Sequence, residues 1–310
     1  MSDKIYVIGH KSPDLDSVAA AIAYANLKNI LEGTENYIPA AAGEVNKETA
    51  FALKKFGFSA PEVLENAQLK NIILVDHNEI AQSIDGMADA NIIEVLDHHK
   101  VGFSYSQPIE FLVKPWGSSC SIITQLFFNK NVELNKNLAG LMLSAVLVDT
   151  VITKSPTTTE DDKKIIEKLA EIASIDSWQE FGMELFKVRS SVSELSNEEI
   201  IKSDFKDFIF KAGKIGVGQV ETVDLEEMVK REDELITELN KIKVAENYHT
   251  VILFITDIIK EGSQFLVSTN DEDGFAKSFG KKLQNNRVYL DGIMSRKKQV
   301  IPVLTEIFDK

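Results

Sequence analysis

The stretch Ile5-Tyr6-Val7-Ile8-Gly9-His10-Lys11-Ser12-Pro13-Asp14-Leu15-Asp16-Ser17 runs from a four-residue apolar segment through a short polar loop into the alanine-rich Val18-Ala19-Ala20-Ala21-Ile22-Ala23-Tyr24. Strand, loop and helix in that order open a βαβ unit. In open α/β sheets, ligands bind in the loops beyond the carboxyl ends of the strands. This loop carries one imidazole and two carboxylates. Carboxylates held so close repel each other, and one retains a proton unless a cation lies between them. Histidine with aspartate and no cysteine is ligand chemistry for a hard or borderline divalent metal. Asp16 is the expected N-cap of the helix, which runs to about Leu31.

The same mixture recurs at Asp76-His77-Asn78, after the apolar run Ile72-Ile73-Leu74-Val75, and at Asp97-His98-His99, after Ile92-Ile93-Glu94-Val95-Leu96. Three strand ends of one parallel sheet would meet at one edge, which predicts a metal site assembled from three loops. A lone histidine is ordinarily a packed or surface residue. Here four of the five histidines fall in the three motifs. A long apolar segment, Asn137–Val148, reads as a buried helix that delivers Asp149 at its end.

Around these motifs the first half alternates strands with helical stretches. The strands are Ile5–Ile8, Tyr37–Ala40, Ile72–Val75, Ile92–Leu96 and Phe111–Val113; further helices are expected near Ser118–Asn129, Glu160–Ser174 and Ser177–Val188. The polar, aperiodic Arg189-Ser190-Ser191-Val192-Ser193 is read as the start of a linker over 189–195. It divides a domain of residues 1–188 from a smaller one of residues 196–310. The second opens on a capping box, Ser196-Asn197-Glu198-Glu199. It then mixes strands (Phe205–Phe210, Ile215–Val220, Val251–Ile255, Gln264–Thr269) with helices near Leu225–Lys241 and Gly274–Leu283, and is expected to hold most of the positive charge. The fold class is α/β, in two lobes.

Composition bounds the function. At 310 residues with 44% hydrophobic content, the chain suffices for two folded domains. The single cysteine, Cys120, cannot form an internal disulfide and reads as a core residue; this fits a reducing, cytoplasmic setting. The opening Met1-Ser2-Asp3-Lys4 has no basic region followed by an apolar one. No apolar run approaches the roughly 20 residues that span a bilayer. A net charge of −14 argues against a nucleic acid partner, whose phosphates demand a basic surface. A small phosphorylated substrate remains compatible, since a local basic pocket overrides the global field.

These motifs resemble the DHH phosphoesterase superfamily, and within it the family II, manganese-dependent inorganic pyrophosphatases. The resemblance rests on His10-x3-Asp14-x-Asp16-Ser17, Val75-Asp76-His77-Asn78-Glu79, Asp97-His98-His99, Ser144-Ala145-x3-Asp149 and Ser295-Arg296-Lys297-Lys298-Gln299, spread over nearly the whole chain. Ala81 beside Gln82 departs from a pair of glutamines found in many relatives. The resemblance implies an N-terminal parallel-sheet DHH domain and a C-terminal DHHA2-type domain, with the site in the cleft between them. One metal would be held by His10, Asp14 and Asp76, and the other by Asp16, Asp76, His98 and Asp149, with Asp76 bridging. A shared anionic ligand softens the repulsion of two cations about 3.5–4 Å apart. Asp97 would orient a histidine, and His77 is left structural.

The implied reaction is hydrolysis of magnesium-complexed pyrophosphate by a hydroxide activated between two Mn2+ ions per subunit, for which Co2+ can substitute. Lys206, Arg296 and Lys297 would clamp the phosphates, and His99 would hydrogen-bond the bridging oxygen or donate to the leaving phosphate. Relatives are commonly homodimers, so a homodimer is expected. Two neighbouring activities compete, a short-chain exopolyphosphatase and a DHH-type oligonucleotide phosphodiesterase. The latter usually carries a Gly-Gly-x-His signature in its second lobe, whereas His249 here has no adjacent glycine. A metal-binding module without chemistry would have no use for the Arg-Lys-Lys cluster.

Overall fold

The computed structural model describes residues 4–192 and 195–309, and the chain divides into two compact units, Met1–Arg189 and Ser190–Lys310. The first is a six-stranded, wholly parallel sheet. Its strands are β1 (Ile5–Ile8), β2 (Tyr37–Ala41), β3 (Glu62–Val63), β4 (Asn71–Val75), β5 (Asn91–Asp97) and β6 (Glu110–Val113), in the order β3-β2-β1-β4-β5-β6. The order reverses between β1 and β4, which places a topological switch point at the three motif-bearing strands, β1, β4 and β5.

Helix α1 (Leu15–Glu32) packs on this sheet through buried Ala19, Ala20, Ala21, Ala23 and Ala25, whose small side chains permit a close approach. Gly9 is required at the junction, because a Cβ there would lie 2.5 Å from Cβ of Ser17. The helix starts two residues earlier than expected. Asp14, not Asp16, is the N-cap, with Oδ1 accepting from the Ser17 amide at 2.9 Å. That leaves Asp16 in the first turn with its side chain directed inward, fully buried. Helix α2 (Lys47–Lys55), absent from the sequence reading, follows β2; α3 (Ser119–Asn129), α4 (Lys136–Asp149), α5 (Glu160–Ala173) and α6 (Trp178–Ser190) complete the unit. Helix α6 continues to Ser190, into the stretch read as a linker, of which residues 193 and 194 lie outside the described residues.

Strand β5 carries a bulge: Ile72 pairs with Ile92 and Ile73 with Glu94, so Ile93 has no opposite number. Glu94 is thereby buried, and it is satisfied by Tyr24 Oη at 2.8 Å and Lys28 Nζ at 2.7 Å. A buried carboxylate is tolerated only with such partners.

The second unit opens with α7 (Asn197–Lys202), capped by the expected Ser196–Glu199 box. A five-stranded mixed sheet follows, β7 (Phe205–Phe210), β8 (Gly213–Thr222), β9 (Thr250–Asp257), β10 (Gly262–Thr269) and β11 (Arg287–Asp291), in the order β11-β10-β9-β8-β7. The helix expected near Leu225–Lys241 is two helices, α8 (Leu225–Val229) and α9 (Glu232–Ala245); α10 (Glu272–Phe279) and α11 (Ile301–Phe308) complete the unit. A single π-helical turn, Arg296–Val300, leads into α11. Lys and Arg divide evenly between the two units, 17 in each, so the shorter second unit is denser in positive charge but does not hold most of it. No helix among the described residues is long and apolar enough to cross a membrane.

Candidate metal centre

At the carboxyl ends of β1, β4 and β5 the motif side chains converge. Two overlapping donor sets form, His10–Asp14–Asp76 and Asp16–Asp76–His98–Asp149, each with its ligating atoms within 4.8 Å of one another. Asp76 belongs to both: its Oδ2 lies 3.4 Å from His10 Nε2 and its Oδ1 lies 3.3 Å from His98 Nε2. A third grouping, Asp76–His98–His99, brings in His99, half exposed beside the same carboxylate.

Backbone geometry aims these groups. Asp76 adopts a left-handed φ of +59° just past β4, an uncommon conformation for a residue with a Cβ. Its amide is held there by the Leu96 carbonyl at 3.0 Å. Asp149 ends α4, and Val151, Ile152 and Thr153 then turn consecutively left-handed, with φ of +49°, +52° and +67°. β-branched residues strongly disfavour this region. Capture of the helix end holds the turn, with the Ile152 amide donating to the Leu147 carbonyl at 2.8 Å and Ser155 to the Thr150 carbonyl at 2.8 Å.

The surrounding hydrogen bonds set which atoms face inward. His98 Nδ1 bonds the Trp116 carbonyl at 2.9 Å and His10 Nδ1 the Lys11 carbonyl at 2.8 Å. A carbonyl acceptor places the proton on Nδ1 and leaves Nε2 as a lone-pair ligand, the usual arrangement behind a metal-bound histidine. His98 Nε2 is buried with no hydrogen-bond partner, which fits a metal ligand and would otherwise be costly. Asp16 receives Ser118 Oγ at 2.7 Å, the Ser119 amide at 2.6 Å and the Cys120 amide at 3.0 Å. It thus sits on the amino end of α3, where the helix dipole favours a negative charge. Asp76 is steadied by Ser17 Oγ at 2.8 Å and Ser119 Oγ at 3.2 Å. The sequence pattern assigns no role to Ser17, Ser118 or Ser119. Their partners lie 43 to 103 residues away in the chain, so local spacing carried no signal for them.

Proton affinities record the crowding. Burial would depress His10, but Asp14 and Asp76 raise it to about 11; burial likewise opposes the rise of His98 to about 9, driven by Asp76 and Asp16. Burial and then the Asp76 charge push Asp16 up to about 6, and burial with Asp16 and Asp76 pushes Asp149 well up. Asp76, although burial opposes it, is held below the usual carboxylate range by His10 and His98. Protons on the histidines and on part of the carboxylates thus balance a charge excess that divalent cations would balance instead.

Asp97 is buried and directs His99, whose Nδ1 lies 2.9 Å from its Oδ1, and it also accepts the His98 and His99 amides. Asn78 donates to its other oxygen at 2.5 Å. This pairing raises the His99 pKa. His77 uses both nitrogens, on the Val75 carbonyl and Ser83 Oγ, and stays outside both donor sets. Cys120 is buried and unpaired.

Lys206, Arg296 and Lys297 gather in the second unit around a cavity of about 400 Å³, lined also by Gln219 and Ser295. The buried Arg296 guanidinium is anchored: Nη2 donates to Asp204 Oδ1 at 2.7 Å, and Nη1 donates to the Asp204 carbonyl at 2.5 Å and the Val217 carbonyl at 3.3 Å. Gln299 Oε1 accepts the Met294 and Ser295 amides, each at 2.9 Å, which fixes the entry to the π-helical turn displaying Arg296 and Lys297. Lys206 and Lys297 have no ion-pair partner among the described residues.

A parallel sheet with His-Asp clusters at its switch point, followed by a mixed-sheet unit carrying a cationic cavity, defines a two-domain DHH phosphoesterase. The sequence pattern of the DHH family, N-terminal domain, matches residues 4–146, and that of the DHHA2 domain matches residues 183–307. The chain is 45% identical to the manganese-dependent inorganic pyrophosphatase of Methanothrix thermoacetophila, covering 100% of both chains, and 39% identical to that of Bacillus subtilis, covering 98% of both. It superposes with a TM-score of 0.64 on a crystal structure from Methanococcus jannaschii described as a family II inorganic pyrophosphatase, at 44% identity, covering 99% of this chain and 100% of that one. An exopolyphosphatase-related protein from Bacteroides fragilis shares the fold at 14% identity, with a TM-score of 0.50. The chain belongs to the family of manganese-dependent inorganic pyrophosphatases.

Proposed function

We propose that this chain is a manganese-dependent enzyme that hydrolyses inorganic pyrophosphate to two phosphates. The observation that carries the reading is the pair of donor sets sharing Asp76, in a chain that matches pyrophosphatases over its full length. His10, Asp14 and Asp76 hold one divalent ion; Asp16, Asp76, His98 and Asp149 hold the other. The oxygen-rich donors with two imidazoles suit Mn2+ and also Co2+, although affinity order alone favours other metals, so supply selects between them. Two such ions, when bound, would lower the pKa of bound water and withdraw charge from phosphoryl oxygens.

The chain's own groups do the rest. Asp76 separates and balances the two cationic positions. His99, held by Asp97 with its pKa raised, carries a proton within reach of the donor sets and delivers it to the departing phosphate. Lys206, Lys297 and the anchored Arg296 bind the phosphate oxygens of magnesium-complexed pyrophosphate and offset the charge that accumulates on them. The protein acts as a homodimer in a cytoplasmic setting, and the net charge of −14 disfavours a nucleic acid substrate.

Chelation to verified metal-free protein, followed by assays with pyrophosphate, tripolyphosphate and short oligonucleotides, tests this directly. Activity on pyrophosphate that vanishes on stripping and returns with Mn2+ or Co2+ is expected. Full activity without metal, or preference for tripolyphosphate or an oligonucleotide, would overturn the reading.

A further inference from the structure

Residues 116–119 form one short segment that touches three members of the second donor set. The Trp116 carbonyl accepts from His98 Nδ1, Ser118 and Ser119 hold Asp16, and Ser119 Oγ reaches Asp76. Gly117 lies in their midst and packs against Thr150, the residue after Asp149: a Cβ on Gly117 would fall 2.7 Å from Thr150 Cγ2. The Gly117 amide donates to Asp162 Oδ2 at 2.8 Å.

Asp162 is fully buried in the first turn of α5. The same Oδ2 takes the Thr159 amide at 2.8 Å and Thr159 Oγ1 at 2.6 Å, closing a capping box in which the Asp162 amide returns to Thr159 Oγ1 at 3.2 Å. Its Oδ1 is buried without a hydrogen-bond partner. A cap alone does not require a wholly buried carboxylate, since exposed acids close such boxes, as Glu199 does on α7. Burial without a cation is costly, and what Asp162 gains by it is the long-range bond to Gly117, 45 residues away.

We propose that Asp162 is a positioning residue for the Asp16–Asp76–His98–Asp149 set, acting by fixing Gly117 and with it the segment that orients those donors. The inference rests on the two-set reading of the metal centre. It is selective, because the segment reaches the other set only through the shared Asp76, which Ser17 Oγ also holds, while His10 is oriented by the Lys11 carbonyl and Asp14 by the Ser17 amide.

The test is equilibrium Mn2+ titration of the full chain by electron paramagnetic resonance, with thermal unfolding as the folding control, on Asp162→Ala and Thr159→Ala. The wild type should bind two ions. Asp162→Ala should keep one at wild-type affinity and weaken the other about 10- to 100-fold, the range for loss of an outer partner of a metal ligand. Thr159→Ala removes the cap hydroxyl but leaves Asp162 on Gly117, so both ions should bind as in the wild type. If Asp162→Ala does not fold, Asp162→Asn carries the test, with about a tenfold loss expected at the same single site. Unchanged affinities in a folded Asp162 variant, equal loss at both sites, or the same loss in Thr159→Ala would overturn the assignment. A wild-type chain that fails to bind two ions would overturn the two-set reading itself.

Discussion

His98 Nε2 faces Asp76 Oδ1 across 3.3 Å, buried and without a hydrogen bond. His10 Nε2 faces the other oxygen of the same carboxylate at 3.4 Å. One side chain therefore joins two imidazoles whose opposite nitrogens are both occupied by backbone carbonyls. Removing it should affect both donor sets at once.

Asp76→Ala is accordingly expected to lose tight binding of both ions, whereas Asp149→Ala should retain the ion on His10, Asp14 and Asp76. Metal content after gel filtration decides between them. Two tightly held ions in Asp76→Ala would exclude a bridging role.

Mn2+ affinity should rise with pH from about 5 to 9. Without metal, the folded site keeps protons on Asp16 up to about 6, on His98 up to about 9 and on His10 up to about 11, and binding must displace them. For the same reason the metal-free protein should lose stability as pH rises. These folded-state values exceed those of the unfolded chain, so folding takes up protons, and that contribution is full below the unfolded values and lost as pH climbs through the folded ones. Thermal unfolding at pH 5.5, 7 and 9, with and without Mn2+, should show the metal-free midpoint falling while the stabilisation by metal grows. A metal-free midpoint that climbs over this range would contradict the charge balance described for the site.

Asp97→Asn should lower the His99 pKa toward its ordinary value, since the Asp97 hydrogen bond is the main cause of its rise. If His99 donates a proton in turnover, the alkaline limb of the rate profile should move to lower pH in this variant. An unmoved limb would remove His99 from acid duty.

Arg296→Ala should keep both Mn2+ ions and lose about 10²-fold or more in rate, the scale of removing one transition-state donor. Arg296→Lys should rescue little, because a point charge cannot reproduce three bonds made from two nitrogens of one planar group to Asp204 and Val217. Near-normal turnover in Arg296→Ala would reassign the cluster to structure.

Much of this was legible without coordinates. Apolar runs of four or five residues followed by His and Asp specify strands and place their polar ends together once the sheet is parallel, because strand direction alone decides which ends meet. That determined the α/β class and one sheet edge for His10, Asp14, Asp16, Asp76 and His98; their division into two sets, with Asp149 added from the end of a helix, was what the family resemblance implied, and the structure brings these same groups together. Adjacency of β1, β4 and β5, however, is a property of strand order, which no local pattern encodes.

Only the tertiary structure decided what holds the donors. It made Asp14 the cap and freed Asp16 for the amino end of α3, 103 residues further on. It tied Gly117 to Asp162 and Arg296 to Asp204. A serine before a helix or an aspartate in its first turn reads as a cap, since local spacing predicts only local bonds. Whether that side chain also serves a distant carboxylate or amide depends on how helices α3, α4 and α5 pack, and that is set by the summed burial of their apolar faces and by no single residue in the sequence.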